Sequence, residues 1–306
     1  MNEVNFGKFD LSKYANCLVV TDEKISSLYN IAGDNVFLLP QGEAAKSFAH
    51  VEALCRWFLS KSLGSDGTVV AVGGGSVGDV VGFATGVYKR GVKILHVPTT
   101  LIAQIDSGIG GKTAIDLDGV KNAVGSYHFG DTLIDFDFLK TLDKTQMLSG
   151  YGEIIKYAMI DEFVREAFRG GKKLHEIIRK CVACKQHLCQ IDPFCADERN
   201  VLNFGHTVGH ALELSYELPH GVAVANGLYY ETLLAQKLEI CDEAYAAEWT
   251  QEISTRFMIY PLTRDILSLT QHDKKNANGK VCFVLPDVFD RVYLTIEEVE
   301  ELLLND

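Results

Sequence analysis

Two histidines four residues apart, His206 and His210 in NFGHTVGHALE, share one face of any helix that segment forms, which is the spacing of a metal-binding pair. The acid found inside H-E-x-x-H helices is missing between them. His220 follows in LPHG, so three imidazoles fall within 15 positions among glycines. A zinc ion that keeps an open coordination position takes about three protein ligands. Two of these histidines and one carboxylate would complete such a set, and Glu153 in GEIIK is the candidate acid. Spacing alone leaves both His206–His210 and His206–His220 open.

A second chemistry sits earlier in the chain. GGGSVGDVVGFATG (73–86) follows an apolar strand and opens a helix, and Gly73, Gly75 and Gly78 match G-x-G-x-x-G. Glycines there let the backbone approach a pyrophosphate, and the helix that follows offers it N–H groups and a positive dipole end. The acid expected about 20 residues on in a standard dinucleotide fingerprint is absent, because HVPTT occupies that region. The segment therefore reads as a nucleotide site outside the standard fingerprint. Lys89, Arg90, Lys93, Lys112 and Lys121 fall within 33 positions of this acidic chain. Lys112 closes SGIGGKT and Lys121 begins KNAVGS, and lysines at glycine turns suit phosphate or carboxylate. Lys89 and Lys93 read as solvated surface.

The elements that must position these residues follow from pattern. CLVVTD (17–22), NVFLLP (35–40), TVVAV (68–72) and VKILHVP (92–98) read as strands, and residues 44–61 as a helix with Val51, Leu54, Cys55 and Phe58 on one face. This rhythm predicts a mostly parallel, Rossmann-like sheet covered on both faces. After about residue 145 the pattern turns helical, through SGYGEIIKYAMI, EAFRGGKKLHEIIRKCVACKQHL, RNVLNFGHTVGHALEL and VAVANGLYYETLLAQKLEI. The expectation is an α/β nucleotide-binding domain over 1–145 and an α-helical metal-binding domain over 146–306, with the hinge near FLKTLDKTQML and the active site in the interdomain cleft.

Composition sets the outer bounds. The 306 residues carry 29 Lys and Arg against 41 Asp and Glu, a formal charge of −12 that leaves no basic stripe for nucleic acid. No apolar run approaches the ~20 residues of a membrane helix. MNEVNFGKFD does not read as a secretory signal, so a cytosolic location is expected. Cys181, Cys184, Cys189 and Cys195 cluster, but no second C-x-x-C follows, and Cys181 and Cys184 read as small apolar residues on a helix face.

Taken together, QGEAAKS, GGGSVGDVVGFATGVYKRG, VPTTLIAQIDSGIGGKTAID, KNAVGSYH, GEIIKYAMI, RNVLNFGHTVGHALE, PHG and HDKK (272–275) make the chain resemble the 3-dehydroquinate synthases, over about residues 18–286. The resemblance implies a two-domain lyase of the shikimate pathway that uses NAD and a divalent metal, zinc or cobalt, and works as a homodimer. It implies Glu153, His206 and His220 as metal ligands. For NAD it implies Asp22, Glu43, Lys46, Gly74, Gly75, Ser76, Asp79, Thr99, Thr100, Ser107, Lys121 and Thr141. For a sugar-phosphate substrate it implies Arg90, Asp106, Asn122 and one of Lys274 and Lys275. Lys112, Lys156, Lys185, Arg199, Asn203 and His210 would bind substrate and take part in catalysis. Three positions depart from the family pattern: Val222 stands where an acid follows the last zinc histidine, Gly108 where a serine follows Ser107, and a proline is missing from SYHFGD. A 2-deoxy-scyllo-inosose synthase or a metal-dependent polyol dehydrogenase would share much of this set. The former does not need the Lys185–Arg199 pair that the resemblance places against a carboxylate, and the latter would release NADH with product and need no phosphate cradle.

Overall fold

The computed structural model describes residues 3–272, 276, 279–286 and 291–305. The chain divides into two compact units. One comprises residues 1–143 with 185–190, the other 144–184 with 191–306.

The first unit contains β1 (Val4–Phe6), β2 (Leu18–Asp22), α1 (Glu23–Tyr29), β3 (Val36–Leu39), α2 (Phe48–Ser60), β4 (Thr68–Gly73), α3 (Gly75–Val87), β5 (Lys93–Pro98), β6 (Lys112–Leu117), β7 (Val120–Tyr127) and β8 (Asp131–Ile134). Six strands form one sheet in the order β1-β8-β5-β4-β2-β3, and every pair in it is parallel. Strands buried on both faces read as continuous apolar runs, and β2 and β4 are buried almost throughout. The chain leaves β3 at one edge and returns to pair β4 with β2, so the strand order reverses between them. Ligands of open parallel sheets bind at the carboxyl ends flanking such a switch point. Here those ends carry Asp22 on β2, and Gly73 on β4 with Gly74 and Gly75 after it. The register Gly73↔Pro98 sets Thr99 and Thr100 beside the glycines.

The helix expected over 44–61 is interrupted. A 3₁₀ turn covers Gly42–Ala45, and α2 starts only after Ser47, whose hydroxyl accepts from the His50 N–H. β6 and β7 form an antiparallel hairpin that was not expected. Asp118 and Gly119 make its two-residue turn, both at positive φ as such a turn requires.

The second unit contains α4 (Lys144–Ile160), α5 (Glu162–Arg169), α6 (Leu174–Ile191), α7 (His206–Tyr216), α8 (His220–Lys237), α9 (Glu243–Arg256), α10 (Arg264–Leu269), β9 (Val281–Val284), β10 (Arg291–Leu294) and α11 (Ile296–Leu303). Residues 185–190 of α6 group with the first unit. The helical run expected from residue 166 breaks at Gly170 and Gly171, and the run from 199 breaks at Gly205, which has φ +78°. Val208, Leu212, Ala223, Leu234, Leu267 and Phe283 are central to its core. Cys181 is buried and Cys184 half-buried, as small apolar side chains on α6 would be, and the eight cysteines form no disulfide.

Candidate active site

The glycine-rich turn of the first unit is built for close approach. A Cβ on Gly74 would lie 3.0 Å from Thr100 Cγ2, and one on Gly75 3.1 Å from Ser107 Oγ. Without those carbons the start of α3 borders a narrow pocket lined by Ala71, Gly73, Gly74, Gly75, His96 and Ser107. The N-terminus of the thirteen-residue α3 lies at this pocket, a polarity that favours a pyrophosphate. His96 was not singled out from sequence. Burial, with a smaller contribution from His128, lowers its pKa to about 4, so the floor of the pocket is uncharged at neutral pH. Thr99 is buried behind the turn, and Thr100 Oγ1 accepts from the Ala103 N–H.

Lys46 organises the other expected nucleotide residues. Its ammonium is buried and lies 2.9 Å from Asp79, 3.4 Å from Glu43 and 3.8 Å from Asp116. It also touches the side-chain oxygen of Asn122. Burial works against the charge, but Asp79 and Glu43 outweigh it and raise the pKa. Burial pushes Asp79 up to about 6, with Lys46 acting in the opposite direction. Ser76 donates to Glu43 at 3.2 Å. Asn122, expected on the substrate, is thus on the Lys46 cluster, its N–H bonded to Asp116 at 2.7 Å. Asp22 caps α1 by accepting from the Ile25 N–H. Thr141 closes a 3₁₀ turn and meets the Tyr29 hydroxyl at 2.5 Å.

The remaining cations of this unit are spread. Lys185 pairs with Asp106. Arg90, Lys112 and Lys121 are exposed, and Arg90 has φ +67°. Lys89 is held more firmly than a solvated lysine, since its ammonium donates to the Leu63 carbonyl at 2.7 Å.

In the second unit, α4 brings Glu153, α7 brings His206 and His210, and α8 brings His220. A Cβ on Gly152 would lie 1.8 Å from the Gly221 oxygen, and one on Gly221 1.8 Å from the Ser149 oxygen. Only glycine permits α4 and α8 to cross this closely, and the Gly221 N–H donates to Ser149 Oγ at 2.9 Å across the contact. Glu153 and His220 are the chain neighbours of those glycines. The crossing leaves His220 Nε2 3.3 Å and His206 Nε2 3.8 Å from Glu153 Oε1. The donor atoms of Glu153, His206 and His220 all lie within 4.8 Å of one another. His210 stands beside this triad, its ring centroid 5.4 Å from that of His206.

The electrostatics suit a cation. Glu153 and Lys156 are each only 1% exposed, and 2.5 Å separates Lys156 Nζ from Glu153 Oε2. That pairing leaves Oε1 toward the histidines. His206 Nδ1 donates to the Phe204 carbonyl at 3.1 Å, so its Nε2 carries the lone pair. Burial first, then Lys156 and the other two histidines, holds His206 well below the usual imidazole range and therefore neutral. Burial opposes charge on His220 too, but hydrogen bonds to Glu153 and Glu213 outweigh it and raise its pKa to about 9. Two imidazole nitrogens and one carboxylate oxygen are a donor set that zinc takes.

Arg199 is almost fully buried, on the 3₁₀ turn Glu198–Asn203, and donates to the Pro193 carbonyl at 3.0 Å. Asn203 donates to Asn200 at 3.3 Å. Lys274 and Lys275 lie outside the described residues. Besides His96, three residues of the site were not read from sequence. Glu213 accepts from His220, and Asp116 holds Asn122. Glu231, fully buried on α8, accepts from the Gly205 and Val208 N–H groups at the start of α7. Glu213 had a signal, since it falls seven residues after His206 on one helix face. Glu231 had none, because its partners are 23 and 26 residues away.

The chain matches the family model for the N-terminal part of 3-dehydroquinate synthase over residues 36–149 and that for its C-terminal part over 150–276. It is 36% identical over 318 aligned positions to the 3-dehydroquinate synthase of Alkaliphilus metalliredigens, covering 94% of this chain and 88% of that one. It is 37% identical to that of Rhodospirillum rubrum, covering 87% and 78%. Among solved structures, a 2-epi-5-epi-valiolone synthase from Streptomyces hygroscopicus with NAD+ and Zn2+ bound superposes with a TM-score of 0.85 at 27% identity, covering 100% of this chain and 96% of that one. A 2-deoxy-scyllo-inosose synthase superposes with a TM-score of 0.84 at 22% identity, covering 99% and 96%, a likeness of fold.

Proposed function

We propose that this chain, which belongs to the 3-dehydroquinate synthase family, converts 3-deoxy-D-arabino-heptulosonate 7-phosphate into 3-dehydroquinate and phosphate. Its cofactors in this reading are NAD and a divalent cation, zinc or cobalt. The observation that carries it is the convergence of Glu153, His206 and His220 within 4.8 Å in a chain that also holds a glycine-lined strand-to-helix turn.

When bound, NAD supplies a hydride acceptor that is restored in each cycle, and the metal supplies a Lewis acid for the hydroxyl being oxidised. The chain's own residues then have separable tasks. Gly74, Gly75 and the first amides of α3 would bind the pyrophosphate, and the Lys46, Glu43 and Asp79 cluster the polar parts of the nucleotide. Glu153, His206 and His220 would hold the cation, with Lys156 offsetting part of the Glu153 charge. Arg90 and Lys112 would bind the substrate phosphate, and Asn122, steered by Lys46, would border it. Lys185, positioned by Asp106, would face the substrate carboxylate with Arg199, and Asn203 would donate to a substrate oxygen. His210, beside the metal ligands, would exchange a proton with a substrate oxygen. The remaining NAD assignments from sequence, Asp22, Ser76, Thr99, Thr100, Ser107, Lys121 and Thr141, stay part of this reading. A homodimer and a cytosolic location belong to it as well, and light scattering and cell fractionation test them. Among the described residues, no helix is long and apolar enough to cross a membrane.

The test is to incubate the protein with NAD and the heptulosonate phosphate and to follow inorganic phosphate with and without a chelator. Chelator-sensitive release with equal 3-dehydroquinate and no net NADH is the expected result. Absence of release from protein shown to hold NAD and metal would overturn the substrate, and glucose 6-phosphate would be tried next. NADH accumulating with product would instead mark a polyol dehydrogenase.

A further inference from the structure

We propose that Glu213 is a positioning residue of the metal centre: its carboxylate fixes the tautomer and ring orientation of His220, so that Nε2 faces Glu153 and His206. The proposal rests on reading those three residues as metal ligands.

Each ligand of the triad has a second contact that aims it, and the three contacts differ in kind. Glu153 is held by Lys156 through Oε2. His206 is held through Nδ1 by the Phe204 carbonyl, a main-chain group of the turn that leads into α7. His220 is held through Nδ1 by Glu213 Oε2 at 2.9 Å. A carboxylate only accepts, so Nδ1 carries a hydrogen toward Glu213, and Nε2, which faces Glu153, is the nitrogen that would exchange its proton for a cation.

His220 needs this contact most. Its side chain is 37% exposed, against 12% for His206 and 1% for Glu153. Packing therefore restricts its ring least, and the terminal torsion of histidine is broad. A half-turn about that torsion would present carbon where the cation needs nitrogen. Glu213 is 13% exposed and sits on the same face of α7 as His206 and His210. One helix thus supplies one ligand and orients another that belongs to α8.

Local stability does not explain a carboxylate here. Glu213 lies in the C-terminal half of α7, whose last residue is Tyr216. The helix dipole disfavours negative charge near that end. The bond to His220 compensates for the placement.

Zinc and cobalt binding to the full chain tests this, with affinity measured against a chromophoric chelator and the visible Co2+ absorption recorded at saturation. Glu213→Ala should weaken zinc binding about 10–100-fold, the usual effect of losing such an outer partner, and should alter the Co2+ bands. Glu213→Gln, which can still accept from Nδ1, should stay within about tenfold of wild type and keep the wild-type bands. Equal zinc affinity and identical Co2+ spectra in Glu213→Ala and wild type would overturn the proposal. If Glu213→Ala does not fold, ring ¹⁵N spectra of the zinc-loaded wild type decide it. Metal-bound Nε2 with protonated Nδ1 on His220 supports it, and metal-bound Nδ1 overturns it. Failure of the wild type to bind zinc at all would instead remove the metal reading beneath the proposal.

Discussion

Replacing Gly221 by alanine separates two effects of opposite sign. In an ordinary helix, glycine to alanine gains about 1 kcal/mol. Here the added Cβ would lie 1.8 Å from the Ser149 oxygen, against an ordinary contact of 3.4 Å, so α8 must retreat from α4 by about 1.6 Å. Over-packing of this kind costs about 1–3 kcal/mol. The same retreat stretches the 2.9 Å bond from the Gly221 N–H to Ser149 Oγ past any useful length. That adds about 1–2 kcal/mol, since both groups are buried. After the propensity gain, a net loss of about 1–4 kcal/mol remains, or about 2–16 °C in the melting temperature of a unit of this size. His220 moves with the backbone of α8 and Glu153 with that of α4, so the 3.3 Å spacing of their donor atoms opens. Zinc affinity should fall at least tenfold, as it does when a ligand is misaimed. Thermal melts of the metal-stripped protein and chelator competition measure the two effects. A variant that melts higher than wild type and binds zinc equally well would refute the reasoning, because only the helix-propensity term would then remain.

Three further expectations follow from individual contacts. Lys46→Met should destabilise the first unit by about 2 kcal/mol, less than for a fully buried ion pair because Asp79 and Asp116 are each 21% exposed; it should also weaken NAD binding more than tenfold, and adding Asp79→Asn should restore part of the stability in urea titrations. His96 titrates near 4 when folded and near 6.5 when unfolded, so the unfolded chain takes up the proton first and stability is lost as pH falls from 6.5 to 4. Its share is about 3 kcal/mol, and His96→Gln should flatten that limb of the urea midpoint against pH, whereas an unchanged slope would show that His96 is not the group responsible. His206→Ala should remove bound metal as measured by elemental analysis, and full occupancy in that variant would exclude His206 from the ligand set.

The sheet was readable where burial is two-sided. TVVAV, CLVVTD and VKILHVP are continuous apolar runs because β4, β2 and β5 have neighbours on both sides, and the four residues of the edge strand β3 are all apolar, whereas the short β1 (VNF) and β8 (DTLI) carry polar residues and show no run. The β6–β7 hairpin escaped notice for another reason. Its second strand, VKNAVGSY, is mostly exposed and lacks the alternation of a half-buried strand, so only Asp118-Gly119 marked it. Helical periodicity ran through residues 44–61 because the 3₁₀ turn at Gly42–Ala45 keeps Ala45 on the buried side. Apolar spacing registers which side chains are buried, and it does not register where the backbone hydrogen bonds change partner.

The site divides along the same line. Glu153, His206, His210 and His220 were visible by type, and spacing on α7 favoured the His206–His210 pair as much as the other. What gathers His220 and Glu153 is the contact of Gly152 with Gly221, which are 69 positions apart, while Gly227 packs on the Gly205 oxygen and brings α7, with His206, against α8. Read locally, glycine inside α4 or α8 is a weak helix former that costs about 1 kcal/mol. Read across the crossing, it is the residue whose missing Cβ lets a buried carboxylate approach two imidazoles. Lys46 shows the same separation in part: of the carboxylates that keep it charged in a buried place, Glu43 is three positions away, but Asp79 and Asp116 are 33 and 70. Residue type therefore told which groups could do chemistry, while the backbone approaches that decide which of them meet depend on small residues that carry no chemistry of their own.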